Sequence, residues 1–381
     1  MRVADVAIIG GGVIGASIAC ELAAEKLDVV LLDRQQPGRE ASWAAAGMLS
    51  PGPDSLDSLP LVPLAKESMR LYPEFVAAIQ EVSGKPTGFA RNGTIEIFTA
   101  PDGESERDKM VAQYHALGIP IEPVSLDTAR KAEPALGPAV RAASWLPQEA
   151  TLDPRLLMDA LLVAAQCRGV EINADSVVTS VLLDGNHCTG VIADGKSISA
   201  KCVIVAAGCF SGGIDWLARY APTRPVRGQI LALHPKGAVS GRTLRSPNAY
   251  LLSRPDGRII AGSTLEDAGF DKHVTTAGIR KILDGVLELA PALATATLVD
   301  FWAGLRPGTP DNLPILGPTD IRGLYMATGH YRNGILLAPA TAKLLSEWVL
   351  GRAPSLATGV FSPLRFSEAK PRPPKTASAI S

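Results

Sequence analysis

Cysteine is scarce in this chain of 381 residues, and the five are Cys20, Cys167, Cys188, Cys202 and Cys209. No two stand in a Cys-x-x-Cys pair, and an odd number makes a poor disulfide framework, so a reducing compartment is expected. Histidine is equally scarce. His115, His187, His234 and His273 are scattered along the chain and read as surface or structural. With no triad or metal-ligand spacing among them, no metal is expected. Net charge is nearly absent, at -1 with a pI of about 6.5, which leaves no electrostatic footprint for nucleic acid or an anionic membrane. The basic stretch from Lys370 to Lys375 is a short, Pro-rich exception that reads as a frayed terminus. No uninterrupted apolar run reaches the roughly 18 residues of a membrane-spanning helix. The apolar start over 6–20 follows Asp5 instead of a basic cluster and is broken by glycines, unlike a secretory signal. These absences together point to the cytoplasm.

What is present is apolar residue, 46% of the chain, on a length sufficient for two domains. Residues 3–9 read as a buried strand, 14–26 as a helix and 29–33 as a second strand, a βαβ unit at the N-terminus. A Pro-, Ser- and Asp-rich loop over 50–63 precedes a helix over 64–82, expected to break near Pro73. The pattern then turns to alternation, as in a half-exposed strand, over 93–99. Residues 104–117 read as helix and 142–146 as strand. Asp153-Pro154 reads as a cap and first helical position opening a helix to 168. Strands are expected over 177–183, 189–193 and 202–206. Residues 226–233 and 248–264 alternate again, the latter around a Pro255-Asp256-Gly257 turn. Residues 298–303 and 324–327 are strand-like, and the last helix spans 334–350, starting late or bending at Pro339. Buried α/β segments thus alternate with amphipathic antiparallel ones, as in two interleaved domains.

Gly10-Gly11-Gly12-Val13-Ile14-Gly15 matches G-x-G-x-x-G between a strand and a helix, the context this dinucleotide motif requires. Gly10 permits the tight turn, Gly12 admits a pyrophosphate to the backbone, and Gly15 lets helix and strand pack closely. Free N–H groups at the helix start, Val13 and Ile14 among them, favour phosphate. Asp33, ending the second strand, suits the hydroxyls of a ribose. The motif alone does not separate FAD from NAD. A second buried strand ending in a small-residue turn, over 203–208, favours FAD weakly.

Three longer stretches carry a resemblance. GHYRNGILLAPAT over 329–341, FWAGLRPGT over 301–309 and AAAGM over 44–48 resemble, in order, signatures of the glycine oxidase group of FAD-dependent D-amino-acid-oxidase-type enzymes. The resemblance covers nearly the whole chain short of its tail. It implies an α/β, Rossmann-like FAD-binding domain (1–85, 150–221 and 298–362) interleaved with an antiparallel-sheet (α+β) substrate domain (86–149 and 222–297), then a flexible tail (363–381). It places Arg34, Ala41, Ser42, Ala46, Gly47 and Met48 along the FAD, the Val177 backbone at the adenine, and His330, Tyr331, Arg332, Asn333, Gly334, Ile335 and Leu336 at the isoalloxazine. Covalent relatives use a Cys near the segment matching 304–311; none occurs there, so non-covalent FAD is implied.

Arg306 lies in an apolar run, where an unpaired guanidinium is costly. A substrate carboxylate or a structural ion pair would satisfy it, and the resemblance implies the carboxylate. Arg332 matches a second substrate-contacting position, with pairing to a loop carboxylate as its other use. Tyr250 matches an active-site tyrosine and reads otherwise as a buried sheet tyrosine. Leu265 and Asn248 depart from the family pattern near the expected pocket and leave the substrate open among glycine, sarcosine and small D-amino acids. The implied reaction is oxidative deamination, through the imine to glyoxylate and ammonia, with O2 reduced to hydrogen peroxide. Bacterial members supply glycine imine for the thiazole of thiamine, and relatives form homo-oligomers, often tetramers. The rivals are a D-amino-acid dehydrogenase passing electrons to a quinone, an NAD(P)-dependent dehydrogenase on the same glycine motif, and a module holding FAD without turnover.

Overall fold

The structure is a computed structural model that describes residues 3–237 and 241–366. Two eight-stranded sheets organise it. In the first, Ala4–Ile9 lies between Val29–Leu32 and Lys196–Val205, all parallel. Glu171–Asn173 extends one side in parallel, and Leu324–Thr328 the other. Ile315–Pro318 closes that second edge antiparallel. The apolar runs of these strands follow from burial on both faces, as parallel sheets require. One face packs under the helices Val13–Ala24, Val62–Ser83, Pro154–Cys167 and Gly334–Val349. The other packs Val203, Val205, Leu324 and Met326 against Leu217 and Tyr220.

Neither proline breaks its helix. Pro73 is exposed, and Val62–Ser83 runs through it, because water can meet a carbonyl freed on the solvent side. Pro339 lies inside Gly334–Val349, where its missing N–H would have met the Ile335 carbonyl. The buried Tyr72 hydroxyl donates to that carbonyl instead, and Ser68 Oγ donates to the Leu336 carbonyl at 2.6 Å. Two side chains of the neighbouring helix thus keep the helix start intact.

The second sheet is ordered Thr297–Gly308, Arg224–His234, Ile259–Gly262, Tyr250–Ser253, Thr243–Arg245, Thr94–Phe98, Ala142–Leu146 and Glu122–Val124. It is antiparallel except where Thr243–Arg245 meets Thr94–Phe98. Thr297–Gly308, assigned from sequence to the nucleotide half, pairs with Arg224–His234 along its length, so the chain crosses back after Gly308. Period-two alternation splits this sheet's side chains. Leu231, Leu233, Leu251, Ile259 and Ala261 pack on a helix absent from the sequence reading, Thr276–Leu289, through Ile282, Val286 and Leu289. Ile230, Ala232, Tyr250, Leu252, Ile260 and Trp302 face the other way, onto Ala44 of the nucleotide half.

Among the described residues no helix is long and apolar enough to cross a membrane. The packed chain continues past residue 363, because Pro363–Phe366 form a 3-10 turn that Arg365 ties to Asp311 at 2.8 and 3.1 Å. The basic stretch from Lys370 to Lys375 lies outside the described residues.

Candidate active site

A single cavity of about 680 Å³ runs from the glycine turn to Arg306, between the two sheets. At its nucleotide end, Gly10 has φ +104°, and a Cβ there would meet the Ala206 carbonyl oxygen at 2.5 Å. A Cβ on Gly15 would lie 1.9 Å from the Gly10 oxygen, so helix Val13–Ala24 starts this close to the strand only with glycine there. Gly12 is the N-cap without a capping side chain. Ser42 Oγ accepts from the Val13 N–H at 2.9 Å. This glycine-lined helix start, with a hydroxyl on one of its N–H groups, fits a pyrophosphate. Asp33 accepts from the Gly11 N–H at 2.7 Å and the Gln35 N–H at 3.0 Å. Burial raises its carboxyl pKa and these bonds oppose the rise. Arg34 lies 3.4 Å over the Phe210 ring and pairs with Glu40 at 2.7 Å.

Midway, the chain turns sharply from Leu324–Thr328 into Gly334–Val349. Tyr331 sits at φ +49°, a conformation costing a non-glycine residue on the order of 1 kcal/mol. Its N–H donates to the Pro307 carbonyl at 3.1 Å, which ties the turn to the strand carrying Arg306. His330 is buried and bonded to Thr341 at 3.0 Å. Burial pushes its pKa down to about 3, so it is neutral at physiological pH. Opposite, Arg254 donates to the Ala46 carbonyl and, at 3.0 Å, to the Leu152 carbonyl, pinning the Ala46–Gly47–Met48 wall.

At the far end Arg306 donates to the Thr264 carbonyl at 3.1 Å, the Arg227 carbonyl at 3.4 Å and Ser263 Oγ at 2.9 Å. Among the described residues none of its hydrogen-bond partners is a carboxylate, and these three bonds leave part of its five-donor fork unused. Burial lowers its pKa from the usual value, as does nearby Arg332, while Tyr250 opposes both. A guanidinium nonetheless stays charged. The Tyr250 phenol is held protonated by burial, with Arg306 and Ser263 pulling the other way. Two glycines make room for these tips. A Cβ on Gly228 would lie 2.1 Å from Arg306 Nη1, and one on Gly262 would lie 2.4 Å from the Tyr250 hydroxyl.

The structure brings most of the sequence-derived site residues to this cavity. Gly10, Gly12, Val13, Ile14, Asp33, Arg34, Ala41, Ser42, Ala46, Gly47, Met48, Val177, Tyr250, Arg306, His330, Tyr331, Arg332, Gly334 and Ile335 line it. Gly15, Asn333 and Leu336 do not. Gly15 serves packing, Asn333 sits at the N-cap position of the last helix without a side-chain capping bond, and Leu336 is buried in the core. The Val177 N–H donates to Asp194 Oδ1 at 3.0 Å and its carbonyl accepts from the Asp194 N–H at 3.1 Å, so only the carbonyl's second lone pair remains for an adenine. Leu265 is exposed and adjoins Thr264, whose carbonyl meets Arg306, and Asn248 bonds Glu288 at 3.0 Å; neither lines the cavity itself. Arg332 pairs with Asp54 at 3.5 Å, the loop-carboxylate alternative. Gly228, Ser263, Gly304 and Phe210 line the cavity and were missed. Cross-strand register brings Gly228 and Gly304 together, Phe210 lies in the 3-10 turn Gly208–Gly213, and the glycines in apolar alternating runs were a readable signal of close approach.

A glycine-turn parallel sheet sharing one cleft with an antiparallel sheet that presents an arginine without a carboxylate partner defines a dinucleotide-cofactor oxidoreductase. The profile described as FAD dependent oxidoreductase (DAO) matches residues 5–348, and the chain belongs to that family. FAD is therefore its cofactor, and the glycine cradle, Ser42 and Asp33 are suited to its ADP part. The chain is 33% identical to the glycine oxidase of Pseudomonas aeruginosa over 94% of this chain and 98% of that protein. It is 37% identical to the bifunctional protein ThiO/ThiG of Synechocystis sp. over 95% of its length, and spans about half of that relative, 54%. The glycine oxidase structure from Geobacillus kaustophilus superposes with a TM-score of 0.89 at 30% identity, covering 95% of this chain and 98% of that one.

Proposed function

We propose that the protein oxidises glycine, or a small amine of similar size such as sarcosine or D-alanine, to the imine, which hydrolyses to glyoxylate and ammonia. The observation that carries this reading is the Arg306 fork in the FAD cleft, which has no carboxylate partner among the described residues. Arg306 grips the substrate carboxylate through paired, charge-assisted bonds. Tyr250, kept protonated, donates a further hydrogen bond to it. The Gly228 and Gly262 shelf sets how deep the carboxylate sits, and so where its α-carbon lies. When bound, FAD would supply the redox chemistry, a two-electron oxidation of that carbon with O2 as final acceptor giving hydrogen peroxide. The chain's own contribution is positioning and exclusion of water. Tyr331, tied to Pro307, and Arg254, tied to Ala46 and Leu152, fix the walls on either side.

FAD is held without a covalent bond on this reading, and the domains divide as the sheets do, with the last crossing after Gly308. Use of the product imine in thiazole formation for thiamine is proposed from the likeness to the bifunctional relative. The five cysteines stand as thiols, in keeping with a cytoplasmic location. Leu298, Val299 and Phe301 expose apolar surface on the sheet's edge strand, which suits assembly into a homo-oligomer, a tetramer by family likeness. The deciding experiment is anaerobic titration of the yellow protein with glycine, sarcosine and D-alanine. Flavin bleaching followed by peroxide release on admitting air supports the oxidase. Bleaching without peroxide supports the quinone-linked dehydrogenase, and no bleaching by any of the three refutes amine oxidation.

A further inference from the structure

Arg332 lines the same cavity as Arg306, and it is not free. Its Nη1 lies 3.5 Å from Asp54 Oδ2, with both side chains roughly half exposed, 45% and 49%. Asp54 itself lies outside the wall, in the segment between Met48–Leu49 and the 3-10 turn Leu56–Leu61. That segment is anchored on both sides of Asp54. Before it, Ser50 Oγ donates to Glu149, whose carboxylate is gripped by both Arg245 Nη atoms at 3.0 and 3.1 Å. A Cβ on Gly52 would meet the Tyr114 hydroxyl at 2.1 Å, so the chain lies flat on that ring. After it, the Ser55 N–H donates to Ser58 Oγ at 3.0 Å within a reciprocal cap. Asp54 is therefore held at the cleft, beside a guanidinium that shares the cavity with Arg306 and whose charge acts on Arg306.

Resting on the functional reading above, we propose that Asp54 is a specificity-determining residue. By occupying Arg332 it denies a second carboxylate its receptor, and the cleft accepts amines carrying one carboxylate over those carrying two. A substrate or inhibitor with a second carboxylate must displace Asp54 from Arg332 and sit against its negative charge. Exposed pairing is weak and like-charge repulsion in a solvated site is of similar size, so the combined discrimination is about tenfold.

The test is calorimetric titration of the FAD-loaded protein with acetate, and with malonate, succinate and glutarate so that one chain length spans both arginines. Glycine and iminodiacetate are compared in parallel by anaerobic flavin reduction. Asp54→Asn is expected to tighten the best dicarboxylate about tenfold relative to acetate. The kcat/KM ratio of iminodiacetate to glycine should rise similarly. Adding Arg332→Gln should remove the gain, and Asp57→Asn, which deletes an exposed acid from the same segment, should not reproduce it. A ratio unchanged within twofold in Asp54→Asn overturns the proposal, as does a gain that survives loss of Arg332 or appears equally in Asp57→Asn. The binding arm needs no turnover. A shift in dicarboxylate affinity without any oxidation of glycine would uphold the role of Asp54 and sink only the functional reading.

Discussion

Replacing Gly228 by alanine adds one methyl group, and its consequences separate substrate binding from folding. Gly228 faces Gly304 across the pair of strands Arg224–His234 and Thr297–Gly308. Its new Cβ would fall 2.1–2.3 Å from three atoms of the Arg306 guanidinium, so that group must move. The atoms in the way are the far end of a flexible side chain, and the strand backbone need not shift. Movement breaks the bonds to Ser263 Oγ and the Thr264 carbonyl and withdraws the fork from a bound carboxylate. Each lost charge-assisted bond to substrate costs about 1.5–3 kcal/mol, roughly 10- to 150-fold in kcat/KM. Stability changes little, because a glycine-to-alanine change at extended backbone stabilises by about 0.4–1 kcal/mol through the unfolded chain, offsetting part of the lost bonds. The expectation is a yellow protein melting within about 3 °C of wild type, with weak acetate binding and slow flavin reduction by glycine. Stopped-flow reduction, acetate titration and thermal melts read all three. A Gly228→Ala protein with wild-type kcat/KM for glycine would show that the Arg306 position does not govern the carboxylate.

Other expectations follow from buried groups. His330 has its folded pKa pushed down to about 3 from 6.5, so its contribution to stability is complete above 6.5 and falls as pH drops between those values. About 2 kcal/mol should be lost between pH 6.5 and pH 5, and melts of His330→Gln should show a shallower acid slope. Glu133 runs the opposite way: burial raises its pKa from 4.5 to about 7, so its contribution is complete below 4.5 and disappears as pH rises through 7. Glu133→Gln should remove an alkaline loss of at most about 3 kcal/mol in chemical denaturation between pH 5 and pH 8. Arg254→Met should leave the carbonyls of Ala46 and Leu152 unpaired and weaken FAD binding about tenfold or more in titrations of the apoprotein.

The nucleotide half was legible because its signals are local. A strand, a glycine turn, a helix and an acidic strand end follow one another within the first 33 residues, and burial on both faces makes the parallel strands continuous apolar runs. The substrate half was less so. Tyr250 and Arg306 were found through resemblance, but what shapes their pocket is set by register: Gly262 opposite Tyr250, and Gly228 beside Arg306. The strand Thr297–Gly308 was grouped with the nucleotide half from sequence, and its pairing with Arg224–His234 was not readable for the same reason, since its apolar run does not name its neighbour. Helix Thr276–Leu289 was readable, with Thr275 accepting from the Gly278 N–H as its cap and Ile282, Val286 and Leu289 on one face. The continuity of Gly334–Val349 was not, because Tyr72 and Ser68, which replace the bonds lost at Pro339, come from a helix more than 250 residues earlier.

The placement of glycine on the antiparallel sheet explains how the Arg306 fork is held without a carboxylate partner among the described residues. A guanidinium brought into an apolar sheet needs both space and acceptors. Gly228 supplies the space, and the Arg227 and Thr264 carbonyls with Ser263 supply acceptors that carry no formal charge. Had a glutamate stood there instead, the pair would have been satisfied internally and a substrate carboxylate would have had to displace it. That is the arrangement found at Arg332, nearer solvent, where Asp54 already holds the cation. Neutral acceptors leave the Arg306 fork open to a carboxylate, whereas at Arg332 Asp54 already holds the charge.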